Sequence, residues 1–453
     1  MTTPVDHSSL HRAAKYFMDD GRAETLDAAM AMLRQFGLTI YVGPEVEHSA
    51  HHQTALLTLV NLARRTLLAG VDVIGLPDAA CISRLAPHRS LADAVRNLGG
   101  VVNPATRHEW PSAIIGSSDP GDSLLPYWRL TWEGWRGGVV PALQGPRFNE
   151  TDAIGLAPAL AAAACAAEAF AHHAGDHLFA GRRSVGLSLW NPGADWLVAD
   201  VDEPKLTYLP SRLWFIGLGN LGQAFAWLLA CLPYSDPSQV QLMLQDYDDI
   251  ALSNDSTSVL SFIGDVGRRK ARVVADWLDA RGFDSFIEER RFGAWTCRTD
   301  SEPAAALCGV DNALARAALE DAGFGLVVEA GLGAGPQAFR SLAMHTFPSS
   351  RRASDIWSKN VGQTAESTEH MPAYQQLKRA GMDSCGLTQL ASRTVGVPFV
   401  GLVAGCLVIS ELLRRLHGGR ALEFASGSVA SLDDIETGGL EAAPYSFGHV
   451  TVG

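Results

Sequence analysis

The chain has 453 residues, of which 47% are hydrophobic, and its formal net charge is -13 at pH 7. This size and apolar content allow two or three globular domains, and the negative charge, without a dense Lys/Arg stripe, disfavours nucleic acid as a partner. The polar beginning of the chain and the lack of a run of about 18 uncharged apolar residues favour a cytoplasmic protein with no membrane span.

Seven cysteines are scattered singly along the chain, with no C-x-x-C pair. An odd number without paired spacing fits reduced thiols better than a disulfide framework or a zinc site. Cys165, Cys231 and Cys406 lie in apolar helical patterns, which predicts inert thiols. No motif surrounds Cys81, Cys297 or Cys308.

The N-terminal part of the chain reads as helices followed by one βαβ unit. Apolar spacing predicts two short helices within residues 10–35, a strand at 38–42, a helix at 54–68 and a second strand at 71–76. The turn after the first strand, VGPEVEHSAHH, offers one glycine and a proline, so we interpret it as a degenerate nucleotide turn. Further on, we predict a helix at 91–98, a strand at 112–115 and a buried, alanine-rich helix at 155–173.

The same order of elements appears again after Pro210. Strands are predicted at 213–216 and 240–244. An apolar helix predicted at 396–419, which closes this half, corresponds to the alanine-rich helix of the first half. We therefore predict an α/β pseudo-dimer within one chain: a degenerate Rossmann-like half at 1–205 and an active half at 206–453. Two unrelated α/β domains are the alternative interpretation.

The stretch SRLWFIGLGNLGQAFAWLLA, residues 211–230, is typical of a strand, a tight glycine turn and a helix. Gly217, Gly219 and Gly222 have G-x-G-x-x-G spacing, which exposes backbone N–H groups to a phosphate at the start of a helix. By itself the motif indicates only a nucleotide.

Charged residues follow the next predicted strand. Asp246 and Asp248 stand where a doubly wound sheet faces a ribose, although an acidic loop that caps the next helix is an equal alternative. Lys270 begins a predicted helix that ends near Gly282, from which a long cationic side chain can return towards phosphates. An exposed helix lysine is the alternative for that position.

The ordered series GLGNLG, D-x-D, SN, VGRRKA, VDNALAR (310–316) and EAGLGAG (329–335) resembles the ubiquitin-activating-enzyme superfamily, which includes the ThiF, MoeB and HesA proteins. The resemblance covers about residues 211–419, and the N-terminal half matches only in element order. It implies a Rossmann-like adenylation fold with ATP and Mg²⁺ as cofactors. Attack of a carboxylate on an α-phosphate needs charge neutralised by a cation and a metal, which agrees with this implication.

Carried over by motif, the resemblance gives Lys270 and Asp311 catalytic roles, with Asp311 as the Mg²⁺ ligand. The implied cofactor-binding residues are Gly217, Gly219, Asn220, Gly222, Asp246, Asp248, Asn254, Lys270 and Asn312.

Two departures from the family pattern stand out. Residues 253–258 read SNDSTS where the family has S-N-x-x-R-Q, so the arginine that would stabilise the leaving pyrophosphate is missing. The candidates to replace it are Arg268 and Arg269, or Arg12 and Arg22 from the degenerate half. The second departure is the lack of paired C-x-x-C motifs, which removes the structural zinc of several relatives.

Residues 336–384 are polar, with FPSSRRASD and NVGQTAESTEH typical of a mobile loop. In the family such a segment, here about 336–395, crosses over the active site. It brings Cys385 close to the closing helix, a placement similar to the catalytic cysteine of the non-canonical activating enzymes. A small half-buried loop thiol is the alternative. The acidic tail, 421–453, is expected to form an edge strand or to fray.

The resulting functional hypothesis is ATP-dependent adenylation of the C-terminal carboxylate of a ubiquitin-like protein or peptide, followed by thioester formation on Cys385. The implied partners are a ubiquitin-like protein that ends in Gly and a conjugating-enzyme-like protein, in a bacterial pathway that serves antiviral defence. A homodimer is left open. The alternatives are adenylation without a thioester, a dinucleotide-dependent oxidoreductase and a non-catalytic scaffold.

Overall fold

The computed structural model describes residues 8–105, 107, 109–119, 125–357, 370–392, 394–440 and 445–452, and of Cys385 it describes only the backbone. Two large sheets form within one chain. The strands are β1 (Gly37–Val42), β2 (Gly70–Ile74), β3 (Val101–Val102), β4 (Ser112–Ile115), β5 (Tyr127–Glu133), β6 (Arg136–Pro141), β7 (Val185–Ser188), β8 (Tyr208–Pro210), β9 (Arg212–Ile216), β10 (Gln241–Gln245), β11 (Asp284–Glu288), β12 (Ala305–Cys308), β13 (Leu326–Leu332), β14 (Ser341–Phe347), β15 (Leu422–Ser428), β16 (Ser431–Gly439) and β17 (His449–Thr451).

The helices flank these sheets and connect their parallel strands. They are α1 (Arg12–Asp19), α2 (Leu26–Leu33), α3 (Ala50–Ala63), α4 (Leu91–Asn97), α5 (Leu156–Ala174), α6 (Asn220–Ala230), α7 (Lys270–Asp279), α8 (Ala313–Ala317), α9 (Ala353–Trp357), α10 (Pro372–Arg379), α11 (Ser384–Ser392) and α12 (Pro398–Leu416). Within the described ranges, no helix combines the length and hydropathy needed to cross a bilayer.

The two sheets share one strand order. The N-terminal sheet runs β3-β2-β1-β4-β5-β6-β7 and the C-terminal sheet runs β11-β10-β9-β12-β13-β14-β15-β16. In each, the first five strands are parallel and the remaining ones antiparallel. The predicted α/β, Rossmann-like fold class is therefore confirmed. That the N-terminal sheet is a degenerate copy, and that the units divide near residues 205 and 206, remain proposals.

The loop predicted for the FPSSRRASD stretch is wrong in part, because this stretch runs from the end of β14 into α9, which begins at Ala353. Helix α10 also lies in the polar region 336–384. Of the NVGQTAESTEH stretch, residues 360–369 lie outside the described part of the chain. The edge strand predicted for the tail is present as β16, and the tail also supplies β15 to the C-terminal sheet and pairs β17 with β8. Buried apolar residues at Leu422, Ala425 and Leu432 explain why β15 and β16 stay on the sheet.

The closing helix α12 joins the two halves, because it contacts both α5 and α6. Small residues allow the helices to approach closely. A Cβ atom at Gly155 would lie 1.8 Å from the carbonyl oxygen of Cys231, and one at Gly405 would lie 2.8 Å from Cδ1 of Leu228. The alanine-rich sequence of α5 is thus explained by close packing on every side, as its buried residues show.

A buried arginine connects α3 to the C-terminal half. Arg65 is 1% exposed and donates hydrogen bonds to the backbone oxygens of Asp255, Val259 and Ser261. Its Nε donates to Asn61 at 3.0 Å, so the guanidinium is held from both sides. The carbonyls belong to the segment that carries the SNDSTS sequence, and α3 therefore fixes the position of that segment.

We expect Arg65→Met to lower the free energy of unfolding by about 3 kcal/mol, because it leaves the carbonyl oxygens of Asp255 and Ser261 without their donor, while that of Val259 keeps the Asn61 amide. Arg96→Met is the matched control: Arg96 pairs with Asp93 on the surface of α4, and its loss should change stability by about 0.5 kcal/mol or less. Urea denaturation measures both values. Equal effects of the two substitutions would contradict the role assigned to Arg65.

Candidate nucleotide site and cysteine helix

Two positions of the glycine turn between β9 and α6, Gly217 and Gly222, have no room for a side chain. Gly217 has a positive φ of 82°, and a Cβ atom there would lie 2.7 Å from Cγ1 of Val310. A Cβ atom at Gly222 would lie only 2.0 Å from the carbonyl oxygen of Gly217. Gly219, the N-cap of α6, has open space on the side where a Cβ would project. The turn is therefore closely packed at Gly217 and Gly222 and open at Gly219, where α6 begins.

Asp246 holds the glycine turn from the neighbouring strand. It follows β10, is 8% exposed, and accepts hydrogen bonds from the N–H groups of Leu218 at 2.6 Å and Asp248 at 2.8 Å. Burial raises the pKa of Asp246, an effect that Lys270 and these two N–H groups oppose. Its carboxylate thus orients the turn, and its predicted contact with a ribose is an additional role that stays a prediction.

Lys270 and Asp248 form an ion pair rather than two separate ligand contacts. The Lys270 ammonium lies 2.9 Å from the Asp248 carboxylate, and the Lys270 N–H donates to the Asp248 carbonyl at 3.0 Å. The lysine side chain is 12% exposed and that of Asp248 47%. Lys270 is therefore held near Asp246 and the glycine turn by an acid that solvent or a ligand can reach.

Asp311 comes to the same edge of the sheet from a third strand. It follows β12, which pairs in parallel with β9, and the Gly309 N–H donates to the Ile216 carbonyl at 2.9 Å. Asp311 is exposed, and no hydrogen bond or ion pair of its carboxylate occurs within the described part of the chain. Asn312, the next residue, instead caps α8 by accepting from the Ala315 N–H at 3.1 Å.

Two predicted cofactor ligands make structural hydrogen bonds. The Asn220 amide donates to the carbonyl oxygen of Gly396 at 2.5 Å, which ties α6 to the segment before α12. Asn254 accepts from the Ala251 N–H at 2.9 Å within its own turn. These bonds assign Asn220, Asn254 and Asn312 a role in shaping the site, and direct contact with a nucleotide stays a prediction for each.

The four candidate arginines differ sharply in their surroundings. Arg268 pairs with Asp265 and Asp276, Arg269 with Asp249, and Arg22 with Asp20 and Asp176. Arg12 differs, because its backbone N–H donates to Ser256 Oγ at 3.0 Å, inside the sequence from which the family arginine is missing. Ser253 also donates to the Ser8 carbonyl at 2.9 Å. The start of α1 therefore lies against that segment.

Cys385 lies in the first turn of α11. The backbone of this turn is capped by Asp383, which accepts from the Gly386 N–H at 2.6 Å. Helix α10, just before it, is anchored to α1, since Tyr374 donates to the buried Asp19 carboxylate at 2.5 Å and Lys15 pairs with the same acid. After α11, Gly396 meets Asn220 at the start of α6, so the segment passes the glycine turn.

Burial of the thiols agrees with the inertness predicted for Cys165, Cys231 and Cys406, and no role was predicted for Cys81, Cys297 or Cys308. Cys165, Cys406, Cys308 and Cys81 are buried, and burial raises the pKa of each thiol, to about 12 for Cys308. Burial also raises the pKa of Cys231. Cys297 is exposed, and it is the thiol against which any assignment to Cys385 must be checked.

Sequence reasoning missed the residues that position Asp311. Arg316, 6% exposed, donates to the carbonyls of Val310 at 2.7 Å and Ala330 at 2.9 Å, and its guanidinium lies 3.4 Å from the buried Glu329 carboxylate. Arg316 is the last residue of the VDNALAR motif, and Glu329 is the first residue of the EAGLGAG motif. The opposite charges of Arg316 and Glu329, each next to apolar residues in its motif, were the signal that could have found this pair.

The turn after β1 in the N-terminal sheet already contains an anion. Glu45 accepts from the Ser117 N–H at 2.9 Å and from Ser117 Oγ, and it pairs with Arg147 at 3.2 Å. A Cβ atom at Gly43 or Gly116 would lie 2.4 Å from its Oε2. Burial opposes ionisation, but the bonds from Ser117 and Arg147 lower the pKa of Glu45 to about 2. A carboxylate thus occupies the turn at the end of this sheet.

These features define a Rossmann-like α/β protein with an open glycine turn at the carboxyl edge of its C-terminal sheet. Comparison with known proteins identifies the family. Residues 37–189 match the model of the BilD N-terminal domain, and residues 209–419 match that of the BilD C-terminal domain. The bacterial E1-like protein BilD of Collimonas sp. (strain OK412) is 64% identical over 449 residues, 99% of this chain and 97% of that protein. The chain belongs to the BilD family of bacterial E1-like proteins.

Two solved structures from E. coli are similar in part. MccB, crystallised with ATP, is 13% identical and has a TM-score of 0.33; the match covers 52% of this chain and 65% of that one. The tRNA N6-threonylcarbamoyladenosine dehydratase TcdA is 14% identical and has a TM-score of 0.30, with 46% and 86% covered. In a second crystal structure of MccB, the match covers 63% of that chain, so the similarity spans somewhat less than two thirds of MccB. The 64% identity to BilD confirms the predicted resemblance to ubiquitin-activating enzymes at the coarser level of an E1-like protein.

The different surroundings of Gly222 and Gly219 lead to a prediction for stability. Gly222→Ala should lower the free energy of unfolding by about 2 kcal/mol, since the new methyl collides with the Gly217 carbonyl. Gly219→Ala meets no atom within 4 Å, and its effect should be about 1 kcal/mol or less. Thermal and urea denaturation of the two variants measure the difference. A larger loss from Gly219→Ala would mean that the turn is not packed as described.

Proposed function

We propose that this protein uses ATP to adenylate the C-terminal carboxylate of a ubiquitin-like protein and then takes the acyl group onto Cys385. The observation that carries the proposal is the convergence of Gly217, Lys270 and Asp311 at the carboxyl edge of one parallel sheet. Membership of an E1-like family supports the same reaction class. The cytoplasm and antiviral defence remain predictions for the setting of this activity.

The described residues suit ATP and Mg²⁺. Gly219 leaves open space where a phosphate can approach the N–H groups of α6, and Lys270 stands near as a cation. Asp311 presents a solvent-accessible carboxylate, the ligand type that Mg²⁺ prefers. Bound there, Mg²⁺ supplies neutralisation of phosphate charge.

In the first step, an oxygen of the substrate carboxylate forms a bond to the α-phosphorus of ATP, the bond from that phosphorus to the bridging oxygen breaks, and pyrophosphate leaves. Helix α6 and Lys270 stabilise the negative charge on the phosphates without a covalent role. Asp246 keeps the glycine turn in place, and Arg316 and Glu329 do the same for the backbone beside Asp311.

In the second step, the Cys385 thiolate attacks the acyl carbonyl, a thioester forms and AMP leaves. The position of Cys385 in the first turn of a nine-residue helix supports this role, because a helix N-terminus favours a thiolate. The contact between Gly396 and Asn220 supports delivery of the segment to the nucleotide site. A conjugating-enzyme-like protein would then accept the acyl group.

Asp311→Ala should lower ATP–pyrophosphate exchange about 100-fold or more, since it removes the proposed Mg²⁺ ligand, while the unfolding midpoint stays unchanged. Asp279→Ala, on the exposed end of α7, is the matched control and should retain exchange. The assay needs the cognate ubiquitin-like protein and labelled pyrophosphate. Normal exchange by folded Asp311→Ala, or tighter binding of NAD than of ATP in calorimetry, would contradict the proposal.

Arg12 is the proposed replacement for the missing family arginine, because α1 begins against the SNDSTS segment. Arg12→Met should lower the rate of exchange about 100-fold at saturating ATP, and Arg12→Lys should restore part of it. Arg22→Met, which removes a pair with Asp20 and Asp176, should leave the rate unchanged. An equal loss in both methionine variants would point to a structural effect of α1 instead.

Cys385→Ala should retain pyrophosphate exchange and lose the thiol-sensitive adduct with the ubiquitin-like protein, because only the second step needs the thiolate. Cys385→Ser should trap a stable oxyester, whose alkoxide is a poorer leaving group. Cys297→Ala, which removes the exposed thiol, should retain the adduct. If the adduct persists in Cys385→Ala or maps to Cys297, the assignment is wrong. Robust exchange with no adduct in the wild type would favour an enzyme that adenylates without a thioester.

A further inference from the structure

A cavity of about 640 Å³ lies between the two halves, away from the glycine turn. The loop before α4 and α4 itself line one side, including Leu85, Ala94 and Leu98. Helices α6 and α7 line the other side through Trp227 and Trp277. The volume is in the range of sites that bind small organic molecules. None of the proposed nucleotide-binding residues lines it.

On the side formed by the C-terminal half, apolar side chains line the cavity next to the charged Asp265, Arg268 and Asp276. The rings of Trp227 and Trp277 stack with their centroids 5.7 Å apart and their planes 21° from parallel. The Trp227 Nε1–H donates to Thr58 Oγ1 at 3.0 Å, so its polar atom is satisfied inside the protein. Val259 and Leu260, each 2% exposed, continue the surface. Such a wall suits an aromatic ring of a ligand.

Arg281, an arginine without a carboxylate partner among the described residues, forms a polar end of the cavity. Arg281 lies with its guanidinium carbon 3.5 Å from the centroid of the Trp277 ring, and it donates only to the carbonyls of Trp277, at 2.6 Å, and Leu85. Its Nε has no hydrogen-bond partner, and no carboxylate pairs with it in the described part of the chain. Burial lowers the pKa of Arg281 to about 9, and the charge of nearby Arg89 adds to this.

The other charged residues at the cavity do not compensate Arg281. Arg268 already pairs with both acidic side chains that line it, Asp265 at 2.8 Å and Asp276 at 2.6 Å. For Arg89, also in the lining, no side-chain hydrogen bond or ion pair occurs among the described residues. Arg89 is exposed to solvent, whereas Arg281 has a buried Nε and no carboxylate partner among the described residues. The uncompensated charge of Arg281 at the cavity is unfavourable unless an anion joins it.

We propose that this cavity binds a small anionic ligand with a flat apolar body, such as an aromatic carboxylate or sulfonate. The acid pairs with Arg281 and Arg89, and the ring lies against Trp227 and Trp277. This site is separate from the proposed adenylation site, and its existence does not depend on the proposed function.

Anilinonaphthalene sulfonate and N-phenyl-naphthylamine test the proposal, because they share one aromatic body and only the first carries an anion. Titrations followed by fluorescence and calorimetry should give one site for the sulfonate on the full chain. Arg281→Met should weaken sulfonate binding about 10-fold or more, the effect of losing one charged hydrogen-bond partner, and leave the uncharged amine unaffected. Arg272→Met, which removes an exposed pair with Glu289 on α7, is the matched control.

A second variant locates the site without removing a charge. Ala280 is exposed and lines the cavity, so Ala280→Trp should fill the space, abolish sulfonate binding and keep the unfolding midpoint. Three results would overturn the proposal: no saturable sulfonate binding to the wild type, equal losses for both probes in Arg281→Met, or unchanged sulfonate binding in Ala280→Trp.

Discussion

The close contact between Gly222 and the Gly217 carbonyl is the constraint on which the C-terminal half depends. It allows α6 to begin after a turn of only three residues that follows β9, with the start of the helix packed closely on that turn. Because α6 is fixed there, α12 can pack against it at Gly405, and Asn220 can reach the backbone before α12. The same turn leaves open space at Gly219, where α6 begins, on the side where a Cβ would project. One steric condition thus sets both the packing of the helices and the opening of the candidate site.

The two sheets have one strand order but different chemistry at the turn that follows their first strand. In the C-terminal sheet the turn is open and bordered by Lys270 and Asp311. In the N-terminal sheet the carboxylate of Glu45 takes the N–H group of Ser117 and the charge of Arg147. A built-in anion competes with any phosphate for those donors, which supports the proposal of a single nucleotide site. The N-terminal half then contributes structure through Arg65 and, by our proposal, a charge through Arg12.

Helix α1 has contacts on two sides that matter for the proposed mechanism. Its first residue touches Ser256 beside the candidate nucleotide site, and Lys15 and Asp19 hold Tyr374 of α10, one element before the cysteine helix. The residues proposed for adenylation and for thioester formation are thus connected through a short helix of the N-terminal half. The cavity bordered by Arg281 lies at a different place on the boundary between the halves.

Much of this architecture was determined by the sequence itself. Apolar periodicity predicted the principal strands and the long buried helices, since a residue's position relative to a sheet or helix face follows from local repeats of two or about 3.6 residues. The glycine spacing predicted the turn, because steric exclusion at Gly217 and Gly222 is a property of the local backbone. The ordered motifs predicted an E1-like protein, which the family match confirms.

Only the tertiary structure decided how the charged and polar side chains are used. Asp248 pairs with Lys270, Asn220 holds α12 and Arg316 holds the backbone beside Asp311, and each contact joins residues from separate elements. The tail 421–453 joined the sheet for the same reason, because its buried face exists only once β14 offers an edge. Arg12 stood out among four arginines only when α1 was seen against Ser256. Local sequence sets backbone conformation, but hydrogen bonds and ion pairs between distant segments depend on how the whole chain packs.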